Sequence, residues 1–102
     1  KITMETFNTI INGDMPVLVD FHATWCGPCK AMNPIMEEIG EEMDGDARIL
    51  KIDIDQERAV ATKFQVHSVP TFIIFKNGLA VWRNSGKMDK ASLLHYIRTF
   101  TD

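Results

Sequence analysis

Between Pro16 and His22 the chain reads Pro-Val-Leu-Val-Asp-Phe-His, apolar at nearly every position and rich in β-branched residues. A strand with one face in water alternates apolar and polar side chains, whereas a run of this kind is expected of a strand covered on both faces. That requirement predicts a central parallel strand in a sheet with helices above and below it.

The remaining segments fit around such a strand. Thr3 is placed to cap a helix whose apolar residues Phe7, Ile10 and Ile11 recur at a spacing of three and four, ending near Gly13. Only two residues precede Thr3, which leaves little room for a strand ahead of that helix. From Cys29 to Met43 the residues Met32, Ile35, Met36, Ile39 and Met43 keep helical spacing, with Lys30, Asn33, Glu37, Glu38, Glu41 and Glu42 opposite. Pro34 removes one backbone donor inside this helix, which predicts a kink. The four glutamates near its end oppose the helix dipole. Ala47–Ile54 reads as a second buried strand, and Asp55 is placed to cap a short helix carrying Val60 and Phe64. Thr71–Lys76 and Leu79–Arg83 flank Asn77-Gly78, the two-residue turn that suits the twist of an antiparallel hairpin. Asp89 caps a last helix with Leu93, Ile97 and Phe100 on one face. This order of elements predicts an α/β fold, a mixed sheet flanked by helices.

At 102 residues, 45% of them apolar and 25% charged, residues 1–102 read as a single domain with one core. The net charge of −3, with eleven basic residues scattered along the chain, offers no stripe for phosphates or anionic lipid. No nucleic acid and no membrane partner is expected. No apolar run approaches the ~20 residues that span a bilayer, and Lys1–Gly13 lacks the apolar centre of a signal peptide, so the chain reads as cytoplasmic.

The two cysteines stand together in Cys26-Gly27-Pro28-Cys29, where the predicted buried strand meets a helix N-terminus. The first turn of a helix presents unpaired N–H groups and about half a positive charge, which favours a thiolate over a thiol. Such surroundings bring a cysteine pKa from about 8.5 into the range of roughly 3.5 to 7.5, and the thiolate is the reactive species. Pro28 suits the first helical position, where its missing N–H would be unpaired anyway. Cys26 is expected at the exposed tip, with Cys29 one turn further in. Two other uses of the pair are open. A structural disulfide closing so short a loop would stabilise the fold by about 2 kcal/mol, against about 3 for a 15-residue loop. A zinc site would need two more ligands, and His22, His67 and His95 do not fall at zinc-finger spacing from the cysteines.

The segment Phe21-His22-Ala23-Thr24-Trp25-Cys26-Gly27-Pro28-Cys29-Lys30, followed by Val69-Pro70-Thr71 and Lys76-Asn77-Gly78, resembles the thioredoxin family over essentially the whole chain. The resemblance implies a thioredoxin fold, a central sheet of four or five strands flanked by four helices, and a cis peptide bond before Pro70 in a loop facing the cysteines. It implies a general protein disulfide reductase acting by thiol–disulfide exchange, in which Cys26 attacks and Cys29 resolves. It also implies disulfide-containing target proteins as partners, no bound cofactor or metal, a monomer, and electrons from a flavin-dependent thioredoxin reductase.

Asp20, inside the apolar run, is either a buried acid with a raised pKa or a strand-end carboxylate reaching water; the family places a proton acceptor here for Cys29, with a lysine such as Lys51 beside it. Trp25, Pro28, Val69, Pro70 and Gly86 match the family's apolar docking surface, although Trp25 also reads as ordinary packing. Asp53, Asp55 and Trp82 read as cap, surface and packing residues. His22 departs from the aromatic residue, commonly tryptophan, that the family carries at its place. Its two readings are a neutral packed imidazole and a group that titrates near physiological pH close to Asp20 and the cysteines. Two rivals to the reductase remain: a disulfide oxidase or isomerase, against which the uncharged Gly27-Pro28 speaks, and a thioredoxin-fold binding module that performs no exchange.

Overall fold

Residues 1–101 are described by a computed structural model. The elements follow as α1 (Met4–Ile11), β1 (Val17–His22), α2 (Gly27–Glu42), β2 (Arg48–Asp53), α3 (Arg58–Lys63), β3 (Thr71–Lys76), β4 (Leu79–Ser85) and α4 (Lys90–Thr99). The four strands lie in the order β2-β1-β3-β4. β1 is parallel to β2 and antiparallel to β3, so the sheet is mixed, and β3 and β4 form the antiparallel hairpin. No strand precedes α1 among the described residues, and the fifth strand is therefore absent there.

The continuous apolar run of β1 has the expected cause. Val17, Val19 and Phe21 point into a layer with Phe7 and Ile11 of α1, Val60 of α3, and Ile73 and Phe75 of β3. Leu18 points the other way, into a layer with Met32, Met36 and Ile39 of α2, Phe72 and Ile74 of β3, and Leu93 and Ile97 of α4. Successive side chains of a strand point to opposite faces, and here both faces are filled.

Local signals hold at two caps and one turn. The Thr3 hydroxyl accepts the Thr6 N–H at 3.0 Å and the Asp89 carboxylate accepts that of Ser92 at 2.8 Å. At the hairpin, Asn77 and Gly78 take φ of 53° and 80°, the left-handed pair that a two-residue turn needs. Two of the four glutamates of α2 find a partner across the helix pair: Lys90 lies 3.2 Å from Glu38 and 2.6 Å from Glu42, with Arg98 3.7 Å from Glu42.

Three expectations are corrected. β2 is an edge strand and only Ile52 in it is buried, because its sole partner in the sheet is β1. Asp55 does not cap α3, whose N-cap is Glu57 with no side-chain bond. The turn before it is closed instead by Asp53, whose Oδ1 accepts the N–H groups of Asp55 and Gln56 at 2.8 and 3.3 Å, and this moves the helix start downstream. α2 begins at Gly27 and stays helical through Pro34, so Pro28 occupies its second position, where a missing N–H is equally harmless.

Candidate active site

Cys26 is the N-cap of α2, in extended conformation, and its sulfur accepts the Cys29 N–H at 3.2 Å. A cap oxygen does the same at an ordinary helix start. The two cysteines are joined as a disulfide, with Cα atoms 5.3 Å apart. Both residues are buried, Cys26 at 5% and Cys29 at 4% exposure, so the expected exposed tip is corrected. The cause is the packing of Ala23, Ile54 and Val69 around the pair. The exposed members of the loop are Thr24, Trp25, Gly27 and Pro28, with Trp25 at 68%.

The two sulfurs face different surroundings. Cys26 Sγ lies 3.7 Å from the Val69 carbonyl oxygen, next to the cis Val69–Pro70 bond. Pro70 is buried and its carbonyl accepts the Gly86 N–H at 2.8 Å, so Cys26, Val69, Pro70 and Gly86 form one neighbourhood, with Trp25 next to Cys26 in the chain. Gly86 holds φ of +100°, a conformation that favours glycine. Cys29 instead lines a cleft of about 240 Å³ with His22, Ala23, Thr24, Lys30, Asn33 and Lys51.

Asp20 lies on the face of the sheet covered by α2 and α4, two residues beyond Leu18, and is 1% exposed. Neither of its carboxyl oxygens has a hydrogen-bond partner among the described residues. Burial pushes its pKa from 3.8 up to about 6, and the positive charge of Lys51 offsets part of the rise. Of the two readings of Asp20, the buried acid is the one observed. Lys51 stands in register with Asp20 on β2, while its ammonium donates to Asn33 Oδ1 at 2.8 Å. His22 is half-buried, and its pKa is lowered by burial first and then by Lys51, with Asp53 acting against them.

Two site residues, Asp55 and Asn33, are not singled out for the site by the sequence reading. Trp25 Nε1 donates to Asp55 Oδ2 at 2.9 Å across thirty residues of chain, and no local pattern announces it. Asn33 stands four residues after Cys29 and so on its side of α2, a spacing that could have singled it out. Among the described residues no three side chains of the metal-binding types gather.

The thioredoxin family model matches residues 1–99. The chain belongs to the thioredoxin family. It is 47% identical over 95 residues to a thioredoxin of Mycobacterium tuberculosis, covering 92% of this chain and 82% of that one. A thioredoxin-like protein of Synechocystis is 45% identical over 85 residues, 83% of this chain and 81% of the other. A mutant thioredoxin from Halobacterium salinarum superposes with a TM-score of 0.87 at 34% identity, over 98% of this chain and 87% of that one. Thioredoxins are protein disulfide oxidoreductases, and with its Cys-x-x-Cys pair in disulfide contact this member is a protein disulfide reductase. Among the described residues no helix is long and apolar enough to cross a membrane.

Proposed function

We propose that Cys26 is the attacking thiolate, Cys29 the resolving thiol and Asp20 the group that takes the Cys29 proton. The observation that carries this reading is the asymmetry of the pair. Cys26 caps the helix and faces the Val69–Pro70 loop, whereas Cys29 faces the polar cleft on the far side. A reduced Cys26 sulfur would keep the Cys29 N–H and the positive end of the helix, both of which favour its anion. It attacks a disulfide of a target protein laid along Trp25, Val69, Pro70 and Gly86, and a mixed disulfide forms. Cys29 gives its proton to the Asp20 carboxylate and attacks Cys26, releasing the target as a thiolate. Lys51 holds the acid's charge in check, and Gly27 and Pro28 shape the turn without adding a charge that would stabilise the reduced pair.

The targets are proteins with accessible disulfides. The oxidised chain, a cytoplasmic monomer in this reading, is returned to the dithiol by a flavin-dependent thioredoxin reductase, and the cysteine pair is the only redox group required. The test is the reduction potential of the Cys26–Cys29 pair in glutathione buffers. A reductase should lie at or below about −220 mV, and a value above about −180 mV would place the protein among oxidases and isomerases. Turnover separates the binding module: a protein carrying Cys26→Ser and Cys29→Ser should lose all catalysis of protein disulfide reduction by dithiothreitol.

A further inference from the structure

A buried acid that accepts a proton on every turnover must also lose it, and the packing around Asp20 restricts how. On its face of the sheet Asp20 has Leu18 and His22 two positions either way along β1, Lys51 in register on β2 and Phe72 in register on β3. Leu18 and Phe72 are fully buried in the apolar layer and hold no proton. The two polar neighbours of Asp20 within the sheet, His22 and Lys51, both line the cleft that Cys29 shares. Lys51 is an ammonium with no lone pair, engaged with Asn33. A neutral imidazole has one acceptor nitrogen and one N–H, so it can take a proton on one side and release another from the opposite side.

We propose that His22 carries the proton between Asp20 and solvent, a role that acts through Asp20 and rests on the reading of Asp20 as proton acceptor. As Cys29 attacks, its S–H proton passes to the Asp20 carboxylate and the Cys26–Cys29 bond forms. The bond from Cys26 to the target breaks, and its electron pair leaves with the target sulfur. The Asp20 carboxylic acid then gives its proton to His22, and the imidazolium gives one to water in the cleft. Two residues of strand separate the Cα atoms by about 7 Å at roughly 3.3 Å per residue, and both side chains leave the same face of the sheet, so the proton passes between them directly or through a bridging water.

The charges facing His22 suit the transfer. The charged and titratable groups about it are Lys51 and Asp53 from β2, Lys30 from α2 together with Cys29 once reduced, and Asp20 on its own strand. Burial lowers the imidazole while it raises the acid to about 6, so the two shifts run toward one another.

The experiment follows release of the mixed disulfide by acid quench in a single turnover of pre-reduced protein at pH 6, where much of Asp20 must first lose a proton. General acid–base assistance is typically worth a factor of 10² or more, and for a relay shared with slower direct exchange we expect His22→Ala to slow release about tenfold. Release should then rise with buffer concentration, recover with added imidazole, and show no further loss when Asp20→Asn is already present. His22→Gln, which fills the site without a titratable nitrogen, should be equally slow and beyond imidazole rescue. Wild-type rates in both His22 variants would overturn the relay, as would a loss that imidazole does not restore and that persists beside Asp20→Asn. If Asp20→Asn itself releases target at the wild-type rate, the proton-acceptor reading of Asp20 fails instead, and the relay with it.

Discussion

The Cys26 sulfur accepts the backbone N–H of Cys29 at 3.2 Å, across the first turn of α2. A hydrogen bond to the charged form and the helix dipole act on the same atom, and both favour the thiolate. The reduced protein should therefore be alkylated at Cys26 by iodoacetamide with a midpoint at least one pH unit below the ordinary 8.5, and Cys29 should react far more slowly. The measurement is the pH dependence of carbamidomethylation read by mass spectrometry. A Cys26 midpoint at or above 8.5 would contradict the capped thiolate.

Asp20 makes stability depend on pH in a stated direction. Its folded pKa of about 6 lies above its ordinary 3.8, so between those values the native state holds a proton that the unfolded chain has lost. Stability contributed by this group is full below that window, falls as pH rises through it, and stays low above it. At about 1.4 kcal/mol per pKa unit, the oxidised wild type should lose on the order of 3 kcal/mol from pH 4 to 7.5 relative to Asp20→Asn. Urea melts of both proteins at the two pH values measure the difference, and parallel losses would remove the buried acid.

Gln65 sits just after α3 with φ of 52°, a left-handed conformation that a side chain disfavours. Arg83 holds that corner from β4, its guanidinium donating to the carbonyls of Phe64 and, at 2.8 Å, of Gln65. Gln65→Gly should raise stability by up to about 1 kcal/mol, the relief of strain exceeding the added freedom of the unfolded chain. Thermal melts decide it. A destabilised variant would show that the Gln65 side chain contributes more than its backbone strain costs.

What could be read from the sequence was what neighbouring residues impose on one another. The run Val17–His22 announced a doubly covered strand, Asn77-Gly78 a hairpin and Thr3 and Asp89 two helix starts, because each signal and its cause lie within a few residues. The edge position of β2 was not legible, since strand order depends on how the sheet assembles and not on the pattern within Arg48–Asp53. The site divided the same way. Cys26, Cys29 and Asp20 could be picked out from motif and context. The burial of Cys26 by Val69 and Ile54, the Trp25 bond to Asp55, and the turn of Lys51 toward Asn33 all join segments distant in the chain.

The division of labour between the sulfurs is the core of the proposed mechanism, and trapping tests it directly. Each single cysteine variant is incubated, reduced, with a disulfide-containing protein and resolved by non-reducing electrophoresis, and the joined residues are identified by mass spectrometry. Cys29→Ser should accumulate a covalent complex through Cys26, because nothing remains to resolve it, and Cys26→Ser should form little complex and reduce no disulfide. A complex that accumulates through Cys29 in the Cys26→Ser protein, with none through Cys26, would reverse the assignment and contradict the account.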